Sequence, residues 1–285
     1  MKIPFTKMHG IGNNYIYLDL FTYEFDESVF TDLAIEISNV NTGIGSDGLI
    51  VIHPSDVADV GMRIFNKDGS EGQNCGNGLR CVAKYVYENN IVSNTVFQIE
   101  TKAAIVTAEV FGEGELVDRV TVDMGPPLLH RNQVPMHGPD DYQVIAEDFQ
   151  VGDQVLKVTA LFLGNPNAVF FVDKIEEAPL HELGSIITVD SRFPDRVNVE
   201  FVEIVSDKEI NFRVWERGSG VTEACGTGAC AAVVASVLNG YVQRDAEITV
   251  HLSGGNLIIK WAEDGHVWMK GPAETVAQGI FYWKR

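Results

Sequence analysis

The sequence repeats part of itself after 150 residues. Moved forward by that distance, Arg63–Lys67 falls on Arg213–Arg217, and the Cys-Gly-x-Gly element at 75–78 falls on another at 225–228. An apolar helical pattern follows each element. A strand, a polar loop, a Cys-Gly-x-Gly element and a helix that recur in one order indicate a duplicated unit. The sequence therefore predicts two similar domains that face each other across a cleft, each contributing one cysteine.

Short runs of β-forming residues dominate the predicted secondary structure. The predicted strands lie at 15–20, 48–52, 62–65, 95–100, 105–110, 120–124, 157–163, 168–172, 199–205, 209–215, 247–252 and 256–261. Helices are predicted at 30–38, with Thr31 as N-cap, at 78–89 and at 228–238. A Gly-Pro-Pro sequence at 125–127 ends one strand and indicates a domain boundary. Runs of strands with one main helix in each half predict an α+β fold.

Composition limits the partners and the compartment of the protein. With 285 residues, 45% of them hydrophobic, the chain has enough apolar material for about two folded domains. Its 21 Lys and Arg against 40 Asp and Glu give a net charge of −19, so we expect no nucleic-acid partner and no membrane partner. The N-terminus does not resemble a signal peptide, and no apolar run is long enough to span a membrane. Four cysteines are too few for a secreted disulfide framework, so we expect a cytoplasmic protein with reduced thiols.

A cysteine at the start of a helix has distinctive chemistry. The first N–H groups of a helix are unpaired and the dipole is positive there, which predicts a lowered thiol pKa and a site for a carboxylate. Glycines let a ligand approach this backbone closely. If two such helix starts meet at one ligand, a thiol stands on either face of the carbon next to the carboxylate. That arrangement can remove a proton from one face and return one to the other, which inverts a stereocentre.

Other roles for Cys75 and Cys225 remain open at this point. They could form a disulfide, bind a metal or be ordinary buried thiols, although neither has Cys-x-x-Cys spacing or a His at ligand spacing. Cys81 and Cys230 lie within apolar helical patterns and are interpreted as buried thiols. A cysteine hydrolase would leave the second Cys-Gly-x-Gly element unexplained.

Gly43–Gly48 matches G-x-G-x-x-G, but a helix precedes it and a strand follows, which indicates a tight loop. We expect no cofactor and no metal.

Several polar residues stand beside the predicted strands and turns: Asn13, Asn66, Asn165, Asn198, Glu216 and Arg217. Alone, each asparagine is typical of a turn, and the Glu-Arg pair is typical of a surface ion pair. Asn66 and Glu216 occupy equivalent places in the repeat, which favours a role in function.

A set of motifs resembles that of the diaminopimelate epimerase family, in the same order and nearly end to end. They are KMHGIGN at 7–13, FNKDGSE at 65–71, CGNGLRC at 75–81, GNP at 164–166, ERG at 216–218 and ACGTGAC at 224–230. The resemblance implies two pseudo-symmetric domains, each a strand-rich, barrel-like sheet around a central helix. It places an N-terminal domain at 1–126, a C-terminal domain at 127–274, and a last segment at 275–285 that packs back on the first domain.

The resemblance also implies a cofactor-independent, two-base epimerisation of LL- to meso-diaminopimelate, a step toward lysine and peptidoglycan. Cys75 and Cys225 would be the catalytic pair, one thiolate and one thiol, titrating together. The reacting carboxylate would be bound by N–H groups near Gly76, Asn77, Gly226 and Thr227. Glu216 would bind the reacting ammonium. The distal end would be read by Asn13, Asn66, Asn165, Asn198 and the Arg217 side chain. A homodimer is a further expectation from the family.

The chain departs from the family pattern at two positions. Some members carry Gln where Gly48 stands, and many carry His where this chain has Asn167. Another two-cysteine racemase of the superfamily, acting on proline or hydroxyproline, is the nearest alternative function. Arg217 and the four asparagines argue against it, because proline has no distal ammonium and carboxylate. An amino-acid-binding module would not need two thiols.

Overall fold

The computed structural model describes residues 1–73, 75–139 and 141–284. The chain divides into two compact units: unit 1 comprises Met1–Val122 with Lys270–Arg285, and unit 2 comprises Asp123–Met269. Asn74, Asp140 and Arg285 lie outside the described residues. One of them falls in each predicted part of the chain, which are the domains 1–126 and 127–274 and the segment 275–285. Strands far outnumber helices in both units, and the predicted α+β fold class is confirmed.

Unit 1 is a strand-rich unit with two α-helices among its described residues. Its strands are β1 (Lys2–Gly10), β2 (Asn13–Asp19), β3 (Gly48–His53), β4 (Val60–Asn66), β5 (Val96–Glu100), β6 (Ile105–Glu113), β7 (Leu116–Asp123) and, from the end of the chain, β17 (Glu274–Tyr282). Its helices are α1 (Phe30–Ser38) and α2 (Gly76–Glu88).

The sheet of unit 1 places β17 beside β1 and then continues in chain order from β1 to β7. The pairings of β2 with β3 and of β4 with β5 are parallel, and the others are antiparallel. Parallel neighbours need a crossover connection, and α1 and α2 lie in those two connections. α2 contacts β1, β2 and β6, and most of its residues are buried.

Unit 2 has the same plan. Its strands are β8 (Val144–Val151), β9 (Gln154–Phe162), β10 (Pro166–Phe171), β11 (Asn198–Ser206), β12 (Glu209–Glu216), the two-residue β13 (Gly220–Val221), β14 (Ile248–Leu252), β15 (Gly255–Trp261) and β16 (Val267–Gly271), whose last two residues belong to unit 1. Its helices are α3 (Leu180–Ile187) and α4 (Gly226–Leu238).

The order of strand pairings in unit 2 matches that of unit 1. From β9 to β15 the pairings alternate as antiparallel, parallel, antiparallel, parallel, antiparallel, which is the series seen from β1 to β6. α3 and α4 lie in the two parallel crossovers, as α1 and α2 do. α4 is apolar almost all round, with the sequence GTGACAAVVASVL, and ten of its residues are buried. Such a helix is stable only inside a core, and α4 contacts β9, β10, β11, β12, β14 and β15.

The two repeated helices begin earlier than the sequence predicts. α2 and α4 start at Gly76 and Gly226, so the glycines of each Cys-Gly-x-Gly element are inside the first turn. α1 has the predicted bounds, but the prediction that Thr31 is its N-cap is wrong. A 3₁₀ turn at Glu27–Val29, capped by Asp26, leads directly into α1 and leaves Thr31 inside its first turn.

Candidate active site

Cys75 and Cys225 are the N-cap residues of α2 and α4. Both have the extended backbone of an N-cap, with φ and ψ of −150° and 109° at Cys75 and of −116° and 105° at Cys225. Each Sγ accepts a hydrogen bond from the N–H of the glycine three residues on, at 3.4 Å in both helices. The sulfurs therefore stand at the positive ends of their helix dipoles, where further N–H groups lack helical partners.

Around Cys75 the structure gathers two of the predicted asparagines. The Cys75 thiol donates to Asn13 Oδ1 at 3.5 Å, and Asn77 Nδ2 donates to the same oxygen at 3.3 Å. Asn13 Nδ2 donates in turn to Asp47 Oδ2 at 3.0 Å. The fully buried Arg80 donates to Asn77 Oδ1 at 2.9 Å. Asn13 and Asn77 thus belong to one hydrogen-bonded cluster with the cysteine.

Around Cys225 the structure gathers four more predicted residues, one of them through its backbone N–H. Thr227 Oγ1 lies 3.5 Å from the sulfur, and Asn198 Nδ2 donates to it at 3.9 Å. Asn198 Nδ2 also lies 3.4 Å from Asn165 Oδ1. The backbone N–H of Arg217 donates to Asn198 Oδ1 at 3.0 Å. This side of Cys225 therefore presents N–H and hydroxyl groups to the sulfur.

The prediction of a lowered thiol pKa is wrong for Cys225. Burial raises the pKa of this thiol well above its usual value, and the negative charge of Glu216 raises it further. Only 6% of Cys225 is exposed, so the cost of burying a thiolate outweighs the favourable helix end. With its pKa raised above the usual thiol value, Cys225 keeps its proton at neutral pH.

The remaining predicted residues have other contacts. Glu216 accepts a hydrogen bond from the Thr222 hydroxyl at the end of β12. The exposed Arg217 side chain donates to the Asp195 carbonyl at 3.2 Å. Asn66, at the exposed end of β4, donates to Ser70 Oγ at 3.0 Å within a turn.

Two buried polar residues, Glu200 and Asn167, are not among the predicted site residues, although Asn167 is one of the two departures from the family pattern. Glu200 is fully buried on β11, two residues after Asn198. Burial holds the pKa of the Glu200 carboxyl well above its usual value, and the charge of Glu216 raises it further. Asn167 is also fully buried and donates to the Asn165 carbonyl at 2.6 Å. The available signal was a polar residue at alternate positions of an otherwise apolar strand.

Asp47 and Tyr15 are further residues beside Cys75 that the sequence did not single out. Asp47 lies in the loop that follows α1, for which the sequence predicts a tight loop and no role in the site. Burial is the main cause of the raised pKa of Tyr15, and the charges of Cys75 and Asp47 add to it. Gly48 leaves room for the Tyr15 ring, because a β-carbon there would lie 2.9 Å from Tyr15 Cε1 and 2.2 Å from the Phe65 carbonyl.

Comparison with known proteins places the chain among its relatives. A family model described as diaminopimelate epimerase matches residues 5–129 and 159–276. The chain belongs to the diaminopimelate epimerase family. Within it, two proteins named diaminopimelate epimerase, from Oceanobacillus iheyensis and a Geobacillus species, are 62% and 58% identical over 284 and 282 residues. These matches cover 100% and 99% of this chain and 99% of each relative.

Solved structures with similar folds are more distant in sequence. A hydroxyproline epimerase from Agrobacterium vitis, with bound trans-4-hydroxy-L-proline, has a TM-score of 0.68 at 16% identity and covers 98% of this chain and 90% of its own. A Bacillus anthracis phenazine biosynthesis protein of the PhzF family has a TM-score of 0.70 at 15% identity, covering 98% and 99%. At such identities the likeness shows that the fold is shared.

The described residues contain neither a cluster of metal-ligating side chains nor a membrane-spanning helix. In residues 1–73, 75–139 and 141–284, no three His, Cys, Asp or Glu side chains converge as metal ligands would. Over the same part of the chain, no helix is both long enough and apolar enough to span a bilayer.

Proposed function

We propose that this protein is a diaminopimelate epimerase that interconverts LL- and meso-diaminopimelate without a cofactor. The observation that carries the proposal is the pair of N-cap cysteines, made twice by one repeated element in a chain that belongs to this family. Moving one α-proton between the two faces of a carbon needs two groups that can each hold it, and a thiol can do so.

In the proposed reaction Cys75 and Cys225 act on opposite faces of the reacting α-carbon. One sulfur, as thiolate, takes the α-proton and forms S–H, and the electron pair of the broken C–H bond stays on the substrate. The other sulfur gives its proton to that carbon and keeps the S–H electron pair. The stereocentre is inverted, and the two cysteines have exchanged their protonation states. The reaction requires both sulfurs to reach one carbon.

The proposed carboxylate site uses the two helix starts. N–H groups at Gly76, Asn77, Gly226 and Thr227 lie in the first turns of α2 and α4 and point toward the caps. Such groups stabilise a carboxylate and the negative charge that develops on it as the α-proton leaves.

Glu216 is proposed to bind the substrate's reacting ammonium. Its negative charge is one cause of the raised pKa of Cys225, after burial. An ammonium paired with Glu216 would cancel that charge and make a Cys225 thiolate easier to form. Substrate binding would therefore help to generate the base that acts on the substrate.

The distal amino-acid end is proposed to bind Asn13, Asn66, Asn165, Asn198 and Arg217. The Arg217 guanidinium is exposed and contacts a backbone carbonyl, so it can move to a substrate carboxylate at little cost. Asn198 and Asn165 are already within 3.4 Å of each other beside Cys225. Polar groups of this kind discriminate strongly, because a substrate without matching groups leaves them unpaired.

We also propose a cytoplasmic homodimer. The reaction needs free thiols, and the cytoplasm keeps thiols reduced. The support for a dimer is β17, which pairs with β1 and exposes Val276, Ile280 and Tyr282 at 55%, 49% and 68%. A long exposed strand with apolar side chains and few charges is a surface that favours pairing with a second chain.

The activity is tested by supplying each candidate substrate and separating the stereoisomers by chiral chromatography. LL-diaminopimelate should be converted to a mixture with the meso isomer, without added pyridoxal phosphate or metal. L-Proline and trans-4-hydroxy-L-proline should be returned unchanged. Epimerisation of either proline, with no action on diaminopimelate, would reject the proposal in favour of the other two-cysteine racemases.

A further inference from the structure

One side of Cys75 is formed by an amide whose orientation is fixed. Asn13 Nδ2 donates to Asp47 Oδ2 at 3.0 Å, and Asn13 Oδ1 faces the Cys75 thiol at 3.5 Å. A carboxylate oxygen only accepts hydrogen bonds, so Asn13 must turn its nitrogen toward Asp47. The amide oxygen is then left to face the sulfur.

The same orientation is fixed from the other end of the cluster. Arg80 Nη2 donates to Asn77 Oδ1 at 2.9 Å, and a guanidinium only donates. Asn77 must therefore direct its own nitrogen to Asn13 Oδ1, at 3.3 Å. Two amides in series thus lie between an acceptor, Asp47, and a donor, Arg80, and neither can turn over without losing a hydrogen bond.

Asp47 is itself held firmly. Its Oδ2 accepts from the Asn14 N–H at 2.8 Å and from Asn14 Nδ2 at 3.2 Å. Its backbone N–H donates to the Asn14 carbonyl at 2.9 Å, and its carbonyl accepts from the Lys67 N–H at 3.1 Å. The position of this oxygen is therefore set by β2 and by the turn after β4.

Cys225 faces the nitrogen of an amide, whereas Cys75 faces an amide oxygen. The Arg217 N–H donates to Asn198 Oδ1 at 3.0 Å. Asn198 Nδ2 is therefore directed toward the Cys225 sulfur, at 3.9 Å. A thiolate is favoured by a donor and disfavoured by the lone pairs of an amide oxygen, whereas a thiol can donate to that oxygen. The two halves of the repeat thus give their cysteines different hydrogen-bond environments.

We propose that Asp47 is a positioning residue that acts through the Asn13 amide to hold Cys75 as a thiol, ready to donate its proton. The inference rests on the proposed function. In the step concerned, the Cys75 S–H bond breaks, the proton goes to the α-carbon and the electron pair remains on the sulfur. Asp47 touches neither the sulfur nor the reacting carbon in this account.

Several other ionisable groups face Cys75, and they do not titrate with it. Tyr15 and Tyr17 lie on β2, and burial is the main cause that raises both of their pKa values well above 10.0. Cys81 lies on α2, and burial raises the pKa of its thiol to about 11. Their raised pKa values keep all three groups protonated near pH 7, so the alkylation profile near neutral pH reports Cys75.

The test is the pH dependence of iodoacetamide alkylation at Cys75, read by peptide mapping of the full chain without substrate. Asp47→Asn keeps an acceptor oxygen for Asn13 but removes the charge, whereas Asp47→Ala removes the acceptor and leaves the Asn13 amide anchored from one end only, by Asn77 Nδ2. We expect Asp47→Ala to raise the Cys75 alkylation rate near pH 7 about tenfold and Asp47→Asn less than about threefold. In Asp47→Ala we also expect kcat to fall about tenfold.

A control and a second variant keep the test decisive. Asp59→Ala removes a carboxylate that caps the Gln98 N–H at 2.7 Å elsewhere in unit 1, and it should leave both readouts unchanged. If Asp47→Ala does not fold, Asn13→Ala removes the amide directly and should accelerate Cys75 alkylation to a similar extent. An unchanged Cys75 profile in both alanine variants overturns the proposal, as does an equal shift in Asp47→Asn and Asp47→Ala. A wild-type protein that alkylates as expected but does not act on diaminopimelate would reject the proposed function instead.

Discussion

Cys75 and Cys225 hold the same position in two helices, and each sulfur accepts the N–H of the glycine three residues later at 3.4 Å. A sulfur in place of the usual N-cap oxygen places a thiol at the end of the helix where anions are stabilised. The surroundings differ, since Cys225 is buried and lies near two carboxyl groups, whereas Cys75 is half-buried and faces an amide oxygen. The repeat supplies the shared geometry, and the neighbouring residues supply the difference.

Gly228 is predicted to be essential for the position of the Cys225 sulfur. A β-carbon on Gly228 would lie 2.9 Å from Glu200 Oε1 and 3.2 Å from Cys225 Sγ. Gly228→Ala should therefore displace the sulfur and lower kcat/KM about 100-fold. Gly78→Ala is the matched control, because its β-carbon would lie 3.6 Å from Cys75 Sγ and would press mainly on the flexible end of Ile50, at 2.6 Å. A loss in the control as large as in Gly228→Ala would contradict this account.

The burial of Glu200 predicts that the stability of the folded protein depends on pH. Its pKa is raised in the folded protein by burial first and then by Glu216, so the folded state keeps a proton that the unfolded state releases above about pH 4.5. Glu200 makes its whole contribution to the free energy of unfolding below that pH. The contribution falls by about 1.4 kcal/mol per pH unit as pH rises, until the pKa of Glu200 in the folded protein is reached. Glu200→Gln should therefore gain stability relative to wild type as pH rises from about 5 to 8.

The measurement is urea unfolding at several pH values, with Glu203→Gln as a control of opposite sign. Hydrogen bonds from Asn211 and from the Ile175 N–H lower the pKa of Glu203. This group stabilises the protein above its unfolded pKa, so Glu203→Gln should lose stability relative to wild type at neutral pH. A Glu200→Gln difference that does not change with pH would show that Glu200 is charged in the folded state.

Glu216→Gln is predicted to change two properties in a linked way. Removing this charge should lower the pKa of the Cys225 thiol, so its alkylation should reach half-maximal rate at a lower pH. The same change removes the proposed ammonium partner, and kcat/KM for diaminopimelate should fall about 100-fold or more. Glu223→Gln, at an exposed position nearby, should change neither property. An unaltered Cys225 profile in Glu216→Gln would contradict the electrostatic link.

The proposed dimer is tested at β17. Val276→Lys and Ile280→Lys should leave each chain folded but should shift it to the monomer in analytical ultracentrifugation, because charges on an exposed strand disfavour its pairing with a second copy. Val155→Lys introduces the same charge at a position on β9 that is 59% exposed, and it should leave the assembly unchanged. A wild-type protein that is monomeric at micromolar concentration would contradict the dimer.

The sequence could predict much of the repeated framework. The bounds of α1 and the strands around 48–52 and 62–65 follow from local apolar patterns, and Cys-Gly-x-Gly marks the starts of α2 and α4. β17 was missed because ETVAQGIFY is exposed almost throughout, so it carries no alternating pattern. Its pairing with β1 joins the two ends of the chain, which local patterns do not reveal.

The buried polar contacts of Arg80 and the pKa of Cys225 were harder to predict from the sequence. A sequence pattern places an arginine on the surface of a helix, yet Arg80 is fully buried because Asn77 and the Gly76 and Pro272 carbonyls accept its N–H groups. The pKa of Cys225 was predicted in the wrong direction for a similar reason. The helix end is visible in the sequence, but the burial that outweighs it depends on the packing of the whole unit.

The central claim, that two thiols act on the two faces of one carbon, is tested most directly by epimerising LL-diaminopimelate in deuterium oxide. At conversions below about 10%, the meso product should carry one α-deuterium and the recovered LL substrate almost none, because the proton removed and the deuteron delivered are held by different sulfurs. Cys75→Ala and Cys225→Ala should each abolish the conversion. Deuterium appearing equally in substrate and product at low conversion, or inversion that persists in either single variant, would contradict the claim.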